Sequence, residues 1–219
     1  MKKIKSKQSI IKELKKRDFR VTIFGSARIK KGDKEYSEIY KIAKMIGKRG
    51  IDLVTGGGPG IMEAASAGHK EESQKSGAHT IGLNIKLPHE QRTNPYVNIE
   101  KRFTRFSERL DNFMLFSNAV VVAQGGVGTI LELFYAWQLM QAKHTCDIPI
   151  ILLGTQWKGL IKWLKKEPLK RKFFNREDLE LLFLAKNSEE AIKIIDEAYK
   201  EYKKGNKNFC LNYKKYKLR

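Results

Sequence analysis

The sequence predicts an α/β fold, a Rossmann-like doubly wound parallel sheet with helices on both faces, in a single domain. Three observations point there. Short apolar strands alternate with amphipathic helices along most of the chain. Two of the strands, residues 119–123 and 148–153, are apolar throughout, as strands buried on both faces are. Glycine-rich turns follow several strand ends. Strand–turn–helix units repeated in this way build parallel sheets.

The elements follow in order. Residues 9–17 read as a short basic helix. Residues 19–24 alternate and run into Gly25-Ser26, a strand entering a tight turn. Residues 34–49 place Tyr36, Ile39, Tyr40, Ile42, Ala43 and Ile46 on one helical stripe, and Gly50 stops it. A second strand, 51–55, ends at the run Gly56-Gly57-Gly58-Pro59-Gly60, and a helix over 61–76 follows. Residues 80–85 are a strand. A loop containing Pro88 and Pro95 leads to a short strand over 97–99. Residues 104–117 form a helix, 119–123 a strand, and 130–142 a long apolar helix after Gly125-Gly126-Val127-Gly128-Thr129. The strand at 148–153 precedes helices over 157–165 and 188–203.

Composition bounds the function. The chain has 219 residues, 31% of them charged, and a formal net charge of +20. It has no stretch near the ~20 apolar residues of a membrane helix, and residues 1–20 lack the apolar core of a secretory signal. A cytoplasmic protein is expected. The two cysteines, Cys146 and Cys210, form neither a disulfide framework nor a zinc pattern, and His69, His79, His89 and His144 have no metal-ligand spacing. The net charge is +7 over residues 1–20, +6 over 21–199 and +7 over 200–219. The chain therefore divides into a basic segment 1–20, a domain 21–199 and a basic tail 200–219. Lysines outnumber arginines 33 to 11, whereas phosphate and base recognition favour the arginine fork. A nucleic-acid partner is not expected on this ground.

The glycine turns carry the chemistry. Each joins a buried strand to a helix, where backbone N–H groups and the positive helix end favour an anion. Glycines let the main chain approach a phosphate without a Cβ in the way. Gly25-Ser26 lies on the same sheet edge, where ligands of such sheets bind. The chain has no GxxxxGK[ST], so a P-loop ATPase is excluded. A phosphate-bearing ligand is predicted, contacted by Gly25, Ser26, Gly57, Gly58, Gly60, Met62, Glu63, Gly125, Gly126, Gly128 and Thr129. Thr129-x-x-Glu132 also reads as a capping box for the helix that follows.

The run from Gly56 through Pro59 to Ala65 resembles the GGGPGxMEA motif of the LONELY GUY (LOG), or lysine-decarboxylase-like, family. Gly125 to Glu132 resembles that family's PGGxGTxxE. Phe24 to Arg28, Ile81 to Pro88 and Arg109 ahead of Ser117-Asn118-Ala119 support the resemblance, which spans residues 20–165. It implies a dimeric Rossmann-like phosphoribohydrolase. Such an enzyme cleaves the N-glycosidic bond of a nucleoside 5′-monophosphate, AMP-like or of the cytokinin type, to free base and ribose 5-phosphate. It also implies Arg109 and Glu132 as the catalytic pair. Pyridoxal phosphate is not expected, because no lysine stands in a recognisable Schiff-base position; no cofactor and no metal are predicted.

Two positions depart from the family pattern: Gln124 stands where the second motif has proline, and Leu131 where it has an acid. These departures motivate the alternative of a nucleotide-binding or carrier module without turnover. Phe134 and Trp137 are expected to pack in the core or a dimer contact. Trp157 and Trp163, among Lys158, Lys162, Lys165 and Lys166, are expected on a solvated helix whose aromatics face the core.

Overall fold

A computed structural model describes residues 18–86 and 92–205. The predicted helix at 9–17, Pro88, His89 and the tail from 206 lie outside the described residues. The strands are β1 (Arg20–Phe24), β2 (Asp52–Thr55), β3 (Thr80–Ile85), β4 (Ile99–Phe103), β5 (Ala119–Val122), β6 (Ile150–Leu153) and β7 (Leu182–Ala185). The helices are α1 (Lys34–Lys48), α2 (Ile61–Ser76), α3 (Phe106–Phe116), α4 (Val127–Gln141), α5 (Gln156–Leu164), α6 (Arg176–Leu179) and α7 (Ser188–Lys203), with one π-helical turn at Lys165–Leu169.

All seven strands form one sheet in the order β4-β3-β2-β1-β5-β6-β7, and every pairing is parallel. Beside β1 the register places Val21 against Leu53 on one side and Ala119 on the other. All three are fully buried, and the two strands predicted as apolar throughout, β5 and β6, follow β1 on one side. The chain winds outward in one direction from β1 and in the other from β5. Their junction is the topological switch point, where sheets of this kind bind ligands.

α1, α2 and α7 pack together on one face of the sheet, and α3 meets α4 on the other. The α1–α2 contact is backbone against backbone. A Cβ on Gly68 would lie 2.1 Å from the Tyr40 carbonyl oxygen, and one on Gly47 would lie 2.6 Å from that of His69. His69 is itself buried beneath this contact. Its Nε2 donates to the Ile51 carbonyl, and its Nδ1 accepts from the Thr80 hydroxyl, each at 2.8 Å. Burial holds its pKa down at about 4.

The structure corrects the sequence reading in four places. The strand expected at 97–99 runs over Ile99–Phe103; Asn98 instead ties the loop to β3, donating its N–H to the Thr80 carbonyl and accepting the Thr80 N–H on its side chain. The short helix α6 and the edge strand β7 fall where no element was predicted. α4 begins at Val127 rather than at residue 130, with Gly126 as N-cap and no side-chain cap. Trp157 faces the core as expected, but Trp163 is 54% exposed.

Candidate active site

Three strand-to-helix loops meet at the switch point, and Ser26 joins them. Its N–H donates to the Gln124 carbonyl at 3.0 Å, and its carbonyl accepts from the Ile61 N–H at 2.9 Å. Gly60 makes this approach possible. It sits at φ +68°, and a Cβ there would stand 2.4 Å from the Ser26 oxygen. Gly25 is required on the other side, where a Cβ would enter the Ile61 side chain. The first turn of α2 is thus sealed by the Gly25-Ser26 loop.

The first glycine run is held from outside as well. Gly57, at φ +72°, donates its N–H to the Thr55 hydroxyl at 3.0 Å. Asn94 donates its backbone N–H to the Gly57 carbonyl at 2.8 Å and its amide to the Gly58 carbonyl at 3.0 Å. Asn84 closes against Gly57 and is fixed by Glu100 at 2.8 Å. These glycines allow close packing of the loop, and the Gly57 N–H is engaged within it by Thr55. Glu63, in the first turn of α2, is ion-paired with Lys31 at 3.4 Å.

The second glycine run differs. Gly125 exchanges two hydrogen bonds with the Gln156 side chain, its N–H donating at 3.0 Å and its carbonyl accepting at 2.7 Å. Gly126, Val127 and Gly128 beyond it are exposed, Val127 to 85%. The first-turn N–H groups of α4 have no intrahelical partner, so this end is open and positively polarised, which favours negative charge there. The Thr129 side chain turns away from it: the residue is buried and its side chain fills the space beneath Gly125, 2.1 Å from where a Cβ would be. The capping-box reading of Thr129 and Glu132 therefore fails. Gln124 is tied to Glu35 at 3.0 Å and packs on Gly154, which adopts φ +110°.

Arg109 and Glu132 come together, from α3 and from the second turn of α4. The Arg109 Nε donates to the Leu83 carbonyl at 2.7 Å, and its guanidinium stacks 4.8 Å above the Phe113 ring. Gly56 leaves it room: a Cβ there would meet Nη2 at 2.4 Å and the Met62 sulfur at 2.6 Å. Nη1 reaches Glu132 Oε1 at 3.4 Å, which is long for a hydrogen bond. The two side chains are only 11% and 13% exposed. Burial raises the Glu132 pKa to about 7, against the lowering effect of Arg109. The loose contact leaves both groups able to bind something else, and the carboxyl changes charge near neutral pH.

Sequence reasoning missed Asn94 and Gln156, the two side chains that clamp the glycine runs. Asn94 precedes Pro95 and signalled only a loop, and Gln156 is the first residue of a helix with no motif around it. Among the described residues no group of three or more His, Cys, Asp or Glu side chains is placed to share a metal ion. No helix there is long and apolar enough to cross a membrane.

The fold defines a Rossmann-like α/β protein whose strand-to-helix loops meet at the switch point of a doubly wound sheet. A family model described as "Possible lysine decarboxylase" matches residues 62–195, more than half of the chain, and the chain belongs to that LOG-like family. It is 28% identical over 128 residues to the pyrimidine/purine nucleotide 5′-monophosphate nucleosidase of Escherichia coli K12. That match covers 56% of this chain and 28% of the relative, so the chain spans little more than a quarter of the curated relatives it matches. Among solved structures, the molybdenum cofactor binding protein of Rippkaea orientalis superposes with a TM-score of 0.59 at 22% identity, covering 81% of this chain and 94% of that one. The molybdenum cofactor carrier protein of Chlamydomonas reinhardtii gives 0.58 at 23%, covering 84% and 99%. These two likenesses show the fold.

The family description names a lysine decarboxylase, whose chemistry uses pyridoxal phosphate on a lysine amine of lowered pKa. The residues do not fit that group. No lysine is among the hydrogen-bond or ion-pair partners of Arg109 or Glu132. Lys31, in the loop between β1 and α1 and paired with Glu63, has its pKa raised by Tyr96 and Glu63 and keeps its proton.

Proposed function

We propose that the protein hydrolyses nucleoside 5′-monophosphates to free base and ribose 5-phosphate. The observation that carries this reading is the loosely paired, buried Arg109–Glu132 couple beside the open N-terminus of α4. From Gly128 to Glu132 is four residues, ~6 Å of helical rise, a span suited to a 5′-phosphate at one end and the anomeric carbon at the other. In this reading the N–H groups of Gly126, Val127 and Gly128 hold the phosphate.

The C1′–N bond breaks with its electron pair going to the base, and positive charge builds on the sugar as in glycoside hydrolysis. The Glu132 carboxylate stabilises that charge and takes a proton from the attacking water, whose oxygen forms the new bond to C1′; that proton then passes to the departing base nitrogen, which releases the free base and restores the carboxylate. Arg109 orients the carboxylate and holds the ribose hydroxyls. Glu63 and Met62 flank the sugar from α2. The reading includes a second copy of the chain: Val127, Ile130 and Leu131 form an exposed apolar stripe beside Glu132, and covering it would dry the site. Free nucleotide as substrate places the reaction in the cytoplasm.

One observation favours a second reading, binding or carriage without turnover. Leu131, where the family has an acid, is 47% exposed next to Glu132, which leaves one carboxylate at that point. Incubation with AMP, GMP, CMP, UMP and cytokinin-type monophosphates, followed by chromatography, decides between them. Free base and ribose 5-phosphate are expected, and Glu132→Ala abolishes them while the melting curve stays cooperative. Nucleotide-dependent thermal stabilisation with no base released from any of them would establish the second reading.

A further inference from the structure

The net charge is not spread over the domain. Residues 156–176 hold eight cations and one acid, a net +7, whereas the whole of 21–199 carries +6. The single acid, Glu167, is ion-paired with Arg171 at 3.5 Å. Lys158, Lys162, Lys166, Lys170 and Lys172 are all exposed, and among the described residues none of them pairs with a carboxylate. Like charges packed at this density repel one another, so the surface costs stability unless an anion neutralises it.

Two aromatic side chains stand out of this surface, Trp163 at 54% and Phe173 at 74% exposure. Neither completes the core. The apolar face of α5 is already used inward by Trp157, Ile161 and Leu164. The segment is compact: the π-helical turn continues into bonds from Arg171 to the Glu167 carbonyl, Lys172 to Leu169 and Phe173 to Pro168. Trp163 and Phe173 are therefore carried on one continuous piece of backbone, with Lys166, Lys170 and Lys172 between them and Lys158 and Lys162 just ahead.

We propose that this surface, running from α5 through the π-helical turn to Phe173, binds single-stranded nucleic acid. The lysines and Arg171 track the phosphates, and Trp163 and Phe173 stack on bases. Interleaved cations and isolated ring faces are what a sugar–phosphate chain with accessible bases needs, whatever its sequence. An anionic membrane fits less well, since an interfacial helix needs a continuous apolar face and that of α5 is buried in the core. A duplex hides the base faces the aromatics would meet.

The full chain provides its own probe, because Trp137 and Trp157 are buried and Trp163 alone among the tryptophans is exposed. Titration with a (dT)20 or (U)20 oligonucleotide is expected to quench its emission, and the affinity to fall steeply with salt. The double variant Trp163→Ala, Phe173→Ala should weaken binding by about tenfold or more. Combining Lys158→Gln, Lys162→Gln, Lys166→Gln and Lys170→Gln should flatten the slope of log K against log salt by about 2–3. Both variants should melt like the parent and keep its nucleotide chemistry. Three results would each overturn the proposal: a blue shift on phosphatidylserine vesicles without any response to oligonucleotide, affinity unchanged by the aromatic pair, or a salt slope unchanged by the four lysine substitutions. The last would place the binding on the basic termini.

Discussion

Glu132 is the residue on which pH acts most directly. Its pKa of about 7 replaces an ordinary value of 4.5 because the carboxyl is buried, while Arg109, its one ion-pair partner among the described residues, stands at 3.4 Å. If the ionised form does the work, kcat/KM should rise about tenfold per pH unit up to neutrality and then level off. At pH 6 about a tenth of such a carboxyl is ionised, whereas an exposed glutamate would be almost wholly so. The same shift has a stability consequence of known sign. A raised folded-state pKa favours the fold when the group is protonated, so the contribution is complete below pH 4.5 and is lost as pH rises through 7. Its size is about 3 kcal/mol at most. Glu132→Gln should therefore abolish base release and yet unfold at higher urea than the parent at pH 8, with the difference vanishing near pH 4.5. Chromatographic rates from pH 5 to 9 and urea melts at the two ends measure both. A rate profile flat across neutrality, or a variant less stable than the parent at pH 8, would refute the assignment of a buried, working carboxylate.

Other outcomes follow from the packing and the loops. His69 is neutral in the fold, with its pKa lowered to about 4 by burial, so stability present above pH 6.5 should fall by about 3 kcal/mol as pH drops to 4; urea midpoints across that range, shallower in His69→Gln, check it. Gly68→Ala pushes a methyl to 2.1 Å from the Tyr40 carbonyl and should cost about 2–3 kcal/mol, read as a lower urea midpoint with unchanged slope. Gln156→Ala removes both bonds to Gly125 and should raise KM for nucleotide several-fold with a stability loss of about 1–2 kcal/mol, measured by initial rates and melting.

The inside of the fold was legible because β5 and β6 are apolar at every position, as strands covered on both faces are, and because β1 and β2 run into glycine turns. Its edges were not. β4 carries Glu100, Lys101 and Arg102, charges that erase the strand signal, although Glu100 turns in to Asn84 and only Arg102 is exposed. β7 is a four-residue apolar run behind a one-turn helix, too short for periodicity to speak. In the site, the motif brought Arg109 and Glu132 to notice, and the chain places them in contact. The roles of the glycines could not be read from sequence, since spacing does not say which amide is already bonded. Gly57 and Gly125 lose theirs to Thr55 and Gln156, side chains that lie two and 31 residues away.

Ser26 carries the links to both glycine runs on a single residue, N–H to one side and carbonyl to the other. That arrangement sets where the chain can vary over generations. A residue added or lost beside Ser26 shifts its N–H or its carbonyl out of reach and breaks two loops at once. Drift in this protein should therefore accumulate elsewhere on the sheet's rim, while the turn after the first strand keeps its length.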